Sequence, residues 1–354
     1  MSNKTIMRAF GGSGACALLL GAQAAHAELP RLEYQFEGFD IRLTGGAAAQ
    51  AAVFEDDEAP TESPDAQIDL FARLNIQWTS PDGIIIGANI QQNNRRRESE
   101  VLEAGEVYGF VSSDYGRLEV GRQDGPADTL AFAAPLVALG QVRGEFSRYA
   151  GTQALLRPLD TRDAFKVIYL SPPIAGLRGG VSWSPRARQN ADADNPRSRV
   201  ILDDAVELGL QYAQPVGDWI LGASGSYAFG EADPITTRTD LSSWSVGAEA
   251  RRGPLRIGGA YVDRGDSNRL TAGFDQWEIN GGVSWVETLW GVAGSAAFTK
   301  ASDRENRLIG VGGYYRLTPN IELRADVVQF REEFFNTLIT NDGVIGVVEV
   351  QLTI

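Results

Sequence analysis

The sequence holds a single cysteine, a single histidine and two methionines, and both Cys16 and His26 sit near its start. Lys4 and Arg8, the apolar stretch Ala15 to Ala22 and the small-residue site Ala25-His26-Ala27 read as an export leader, residues 1–27, cleaved before Glu28. A chain without that leader has no thiol and no imidazole. Disulfides, His-ligated metals and Ser-His or Cys-His catalysis are then excluded, no cofactor is expected, and the chain is expected not to be an enzyme. Positive charge is scarce as well: 32 Lys+Arg face 46 Asp+Glu, a net charge of −14, which excludes nucleic acid as a partner. Nowhere is there the run of about eighteen apolar residues that a spanning helix requires.

What is present is alternation. Ile68, Leu70, Ala72, Leu74, Ile76 and Trp78 share one face of a strand, while Asp69, Arg73, Asn75 and Gln77 share the other. The turn Ser80-Pro81-Asp82-Gly83 sends the chain back through Ile84, Ile86, Ala88 and Ile90. The same beat recurs from Phe39, Ile41 and Leu43 to Val348, Val350 and Leu352. Short turns and longer polar loops, such as Glu55 to Glu62 and Pro185 to Asp204, also take turns along the chain. That order is expected when one rim of a barrel faces the periplasm and the other the outside; a soluble sandwich has no reason to keep it. About sixteen strands are predicted, giving an all-β, transmembrane antiparallel β-barrel. An unpaired charge in hydrocarbon costs about 2–4 kcal/mol at the midplane, so the face carrying Asp69 and Arg73 must point inward and the lumen is wet.

One stretch breaks the beat. From Gln123 to Ala164 the period of two vanishes, and a loop this long in a compact domain is expected to have a function of its own. We read it as the long third external loop, folded into the lumen and narrowing it.

Several phrases then carry a resemblance: Tyr108-Gly109-Phe110 with Asp114-Tyr115-Gly116-Arg117-Leu118-Glu119-Val120-Gly121-Arg122-Gln123 before the loop, Tyr169-Leu170-Ser171-Pro172 with Ala175-Gly176-Leu177 after it, and Gly313-Tyr314-Tyr315-Arg316-Leu317-Thr318-Pro319-Asn320 near the end. In these the chain resembles the Gram-negative general porins, the sixteen-stranded trimeric group of the outer membrane. It departs from them at its last residue, Ile354, where such porins carry an aromatic ring.

The resemblance implies a water-filled channel for passive diffusion of small hydrophilic solutes and ions, embedded as a homotrimer in a bilayer with lipopolysaccharide. It also implies a constriction with the acidic loop on one side and a basic wall opposite. The candidates are Asp124, Asp128 and Glu145 in the loop, and Arg42, Arg73, Arg95, Arg96 and Arg97 on the wall. Each has a plainer reading. Asp124 and Asp128 serve as turn formers, Arg143 and Arg148 neutralise Glu145, Arg42 and Arg73 are inward polar residues away from the narrow point, and Arg95 to Arg97 form a solvated tip or bind lipopolysaccharide phosphates. The small residues Gly45 to Ala49 on an outer wall suit contact with protein better than with lipid. A substrate-selective channel for an anion, a sugar or another small solute is the alternative within the fold; a barrel enzyme and a β-sandwich adhesin are the alternatives outside it.

Overall fold

The structure is a computed structural model that describes residues 32–56, 65–93, 103–190, 199–234, 238–270, 272–337 and 339–354. The leader segment 1–27 and Arg95, Arg96 and Arg97 lie outside the described residues.

Seventeen strands form one sheet. They are β1 (Leu32–Phe36), β2 (Phe39–Asp56), β3 (Asp65–Thr79), β4 (Ile85–Asn93), β5 (Glu103–Ser113), β6 (Gly116–Arg122), β7 (Phe165–Leu170), β8 (Leu177–Asn190), β9 (Arg199–Val216), β10 (Trp219–Ala232), β11 (Leu241–Arg252), β12 (Leu255–Gly265), β13 (Gln276–Val286), β14 (Trp290–Ala301), β15 (Arg304–Thr318), β16 (Ile321–Phe334) and β17 (Ile339–Thr353). From β2 to β17 each strand pairs antiparallel with the next. β17 then pairs with β2, from Gly343 opposite Asp56 to Thr353 opposite Gly46, and the ring closes without a free edge.

The sixteen-strand expectation holds for that ring; β1 is the strand the alternation missed. It pairs with the lower part of β2, Leu32 opposite Leu43 and Phe36 opposite Phe39, on the edge that β17 leaves open below Ile354. Reciprocal backbone bonds between Gly45 of β2 and Ile354 close the β2–β17 ladder just above the stretch that β1 covers. The region from Pro185 to Asp204, expected as a loop, is largely strand, because β8 reaches Asn190 and β9 begins at Arg199. Above the hydrocarbon a ladder needs hydrogen bonds but no apolar side chains, so alternation understates its length.

The two faces separate as expected. Ile68 is 68% exposed and Asp69, its neighbour on β3, is 3% exposed. Outward aromatics meet from strand to strand: Trp244 tilted on Tyr261 at 5.4 Å, Tyr261 stacked on Trp277 at 6.1 Å and Trp277 tilted on Phe298 at 5.6 Å between ring centroids. Such a band suits the membrane interface. On β15 the residue opposite Phe298 is Arg307, which lies over its ring at 5.8 Å, and among the exposed outward residues beyond it are Ile309, Val327, Val344, Val53 and Ile68.

The inward row contains many glycines. An added Cβ at Gly209 would collide with the Pro126 carbonyl oxygen, at Gly247 with that of Phe132, and at Gly312 with Gln141 and Asp326. These positions make room for the segment between β6 and β7.

Candidate functional site

The segment 123–164 starts at the top of β6 and runs against the inward row. It opens with one helical turn, α1 (Pro126–Thr129), continues through a 3-10 turn at Gln141–Arg143 and reaches a second short helix, α2 (Ser147–Ala150). On the way out, the Phe132 amide donates to Ser224 Oγ of β10 at 2.8 Å and the Ala134 amide to Asn280 Oδ1 of β13 at 2.9 Å. Asp326 of β16 accepts from the Gln141 amide at 2.6 Å and from Gln141 Nε2 at 2.9 Å. Tyr149 Oη donates to Gln50 Oε1 of β2 at 2.9 Å, and Arg148 pairs with Asp69 of β3 at 3.2 Å. Gly151, at φ 68°, turns the chain back.

The returning arm retraces the wall. Glu278 of β13 accepts from the amides of Leu155 (2.6 Å) and Leu156 (2.8 Å), and Ser243 Oγ of β11 accepts from the Leu159 amide at 2.9 Å. Glu207 of β9 accepts from the Thr161 amide at 3.1 Å and from Lys166 Nζ at 3.1 Å. A buried apolar cluster supports the far end: Leu139, Val142, Phe146 and Leu156 pack on Leu308, Val328, Phe330 and Ile345. Each such side chain contributes roughly 1.5–3 kcal/mol on burial. Among the described residues, the hydrogen bonds and ion pairs of the loop to inward residues run from Glu207 of β9 round to Asp69 of β3, and none reaches β4 or β5.

Between the loop and that wall lies a polar cavity of about 380 Å³. Gln91, Asn93 and Glu106 line it from β4 and β5; Asp124, Asp128, Asp160 and Asp163 line it from the two ends of the loop; Arg143, Arg162 and Arg264 complete it. Carboxylate oxygens of Asp124, Asp128 and Asp160 lie within 4.8 Å of one another, and so do those of Glu106, Asp124 and Asp163. Burial, then the charges of Asp128, Asp160 and Asp163, push the Asp124 carboxyl up to about 7. Burial, then Glu207 and Asp128, push Asp160 up to about 6. Burial lowers the Arg143 guanidinium from its ordinary value.

Of the residues singled out in the sequence, Asp124 and Asp128 are in this cavity, with Asp128 ion-paired to Arg157. Glu145 is not among its lining residues; it pairs with Arg148 at 2.8 Å. Arg73 is inward on β3, opposite Gln91 of β4, and its Nε donates to Gln91 Oε1 at 3.1 Å. Arg42 sits nearer the short-turn rim, paired to Asp40 at 2.6 Å. Arg162, Arg264, Glu106, Glu207 and Glu278 were not singled out as site residues. The available signal was their charge at inward positions of strands or at the loop end, a pattern that also fits ordinary solvated residues.

The fold and this geometry can be set beside known proteins. No curated relative matches the chain by sequence. Among solved structures, a loop L8 deletion mutant of OmpT, an outer membrane protein of Vibrio cholerae, is similar at a TM-score of 0.62 and 15% identity, over 90% of this chain and 100% of that one. An anion-selective porin from Comamonas acidovorans is similar at a TM-score of 0.62 and 14% identity, over 89% of this chain and 100% of that one. A mutant of the Rh. blastica porin gives 0.57 and 16%, over 89% and 100%. The sequence profile of the family described as Gram-negative porin matches residues 14–333. A ring with an apolar outside and a polar inside, crossed by its own longest loop and matched to that profile over most of its length, belongs to the Gram-negative porin family, and the protein is an outer-membrane channel for small solutes.

Proposed function

We propose that segment 123–164 forms the constriction of this channel and that the solute path runs between the loop and the wall of β3 to β6. The observation that carries this reading is the placement of its anchors, from Ser224 of β10 through Asp326 of β16 to Asp69 of β3. Among the described residues they tie the loop to the wall away from β4 and β5, the side where the polar cavity lies.

Asp124 and Asp128, with Asp160 and Asp163, form the acidic side of the filter, and Arg73 belongs to the wall across from them. Arg42 is a vestibule residue and Glu145 a structural one, since each has its charge satisfied by a neighbour. Arg95, Arg96 and Arg97 remain candidates for the upper wall or for lipopolysaccharide phosphates. With guanidinium groups already facing the same cavity as the carboxylates, local charge and not the chain total sets ion preference. The protein has no catalytic role in this reading.

The chain is exported through a leader of residues 1–27 that is removed, and it assembles as a homotrimer through the outward face of β16, β17, β2 and β3. That face carries Ala47, Ala49 and Ala51, and the aromatic band is missing from it.

Current through a planar bilayer under a salt gradient tests the whole reading. Openings in steps of three and a nonzero reversal potential are expected. Folded protein that carries no current would refute the channel, and single steps only would refute the trimer.

A further inference from the structure

We infer that the cavity between loop and wall is a binding subsite for small zwitterionic solutes of the α-amino-acid class, held by guanidinium groups at one pole and loop carboxylates at the other. The inference rests on the channel reading above and deepens it.

The first observation is that charges of both signs line one cavity and that, among the described residues, no ion pair joins Arg143, Arg162 or Arg264 to Asp124 or Asp160. Among the described residues, the Arg162 side chain makes no hydrogen bond or ion pair, and it lines the cavity together with Arg143 and Arg264. Arg143 donates to the carbonyl oxygens of Ala154 (3.1 Å) and Leu155, and Arg264 to that of Arg157 at 3.3 Å, so neither has a carboxylate partner. Arg264 keeps a buried Nε without a hydrogen-bond partner. Opposite in sign, the Asp124 carboxylate is also unpaired among the described residues, and Asp160 accepts only the Arg162 amide, at 3.0 Å.

Arg162 is exposed, Arg143, Arg264 and Asp124 are half-buried and Asp160 is buried, so donors and acceptors of both signs are open to a solute that enters the cavity. A solute with one pole alone engages half of this arrangement and is repelled by the other half. A zwitterion satisfies both: its carboxylate accepts from the guanidinium groups, and its ammonium donates to Asp124 and Asp160.

A second observation comes from the neighbouring lobe of about 240 Å³, which shares Glu106 and Asp124 with the first. Gln123, only 5% exposed, lines it with an Nε2 that has no partner. An amide donor beside carboxylates suits the polar side chain of a solute and does not suit a bare cation. The two volumes have room for a ligand of a few heavy atoms such as serine.

The test is single-channel current at neutral pH with L-serine added, compared with erythritol as a neutral solute of similar size, lactate as the anion and ethanolamine as the cation. Serine is expected to reduce the current saturably in the millimolar range, with the three controls weaker by about tenfold or more. Arg162→Gln and Asp124→Asn are each expected to bring serine down to the level of erythritol. Serine no more effective than erythritol in the unaltered protein would overturn the inference, and so would lactate or ethanolamine matching serine, because one pole would then suffice. Absence of any current before solute is added would strike the channel reading instead.

Discussion

Lys166 Nζ lies 3.1 Å from Glu207 Oε1, and both side chains are fully buried between the barrel wall and the end of the loop. The same ammonium donates to the Arg162 carbonyl at 2.7 Å, and the same carboxylate accepts from Thr161. One pair therefore fixes the returning arm to β7 and β9. Removing a single partner leaves the other charge buried and uncompensated, which costs about 3–5 kcal/mol. Lys166→Met is expected to lower stability by that amount in denaturant unfolding, and Lys166→Met with Glu207→Leu to recover most of it. A single variant as stable as the parent would mean the pair does not hold the loop.

Gly125 stands at the other end of the same contact. A Cβ there would collide with the Glu207 carboxylate, and overpacking of this kind costs about 1–3 kcal/mol. Gly125→Ala is expected to push Glu207 off Thr161 and loosen the loop. Single-channel recordings should then show a larger and noisier current; an unchanged current would separate the latch from the pore.

Asp124 at about 7 and Asp160 at about 6 face Asp128, Asp163, Glu207 and Lys166. Both are neutral below these values and negative above them, so raising the pH from about 5 to 8 adds negative charge to the constriction. Preference for cations over anions is expected to rise over that interval, read as a shift of zero-current potential in a potassium chloride gradient. Asp124→Asn should flatten the upper part of the curve. A parent channel whose selectivity ignores pH in this range would place both carboxylates away from the ion path.

Ala49 and Ile257 both point outward, one on β2 and the other on β12, but the two faces are expected to respond differently. Ala49→Trp should convert trimers to monomers in mild detergent, measured as mass by light scattering, with the barrel intact. Ile257→Arg should keep the trimer and lower membrane stability by up to about 2–4 kcal/mol, because that side meets lipid. Trimers surviving Ala49→Trp would move the interface elsewhere.

Most of the barrel was legible because a strand in a membrane obeys a two-residue rule at every step. Asp69 had to be inside once Ile68 and Leu70 were outside. β1 escaped because its five residues, LEYQF, lie below the end of β17 and belong to a pairing the alternation does not encode. The site was less legible. Asp124 and Asp128, close after the strand, read equally well as turn formers, and Glu145 in mid-loop read either as a constriction residue or as neutralised by its neighbours; its pairing with Arg148 is seen only in the structure.

Sequence alone determined the class of fold, the sign of each face and the segment that interrupts the strands, since these depend on local period and on the cost of charge in hydrocarbon. Only tertiary structure decided which charges meet. Arg264 of β12 joins Arg143 and Arg162 of the loop, and Glu207 of β9 meets Lys166 of β7, because closing the ring and folding the loop across it bring together positions far apart in the chain. Electrostatic partners are set by distance in space, and no periodicity along the chain carries that distance.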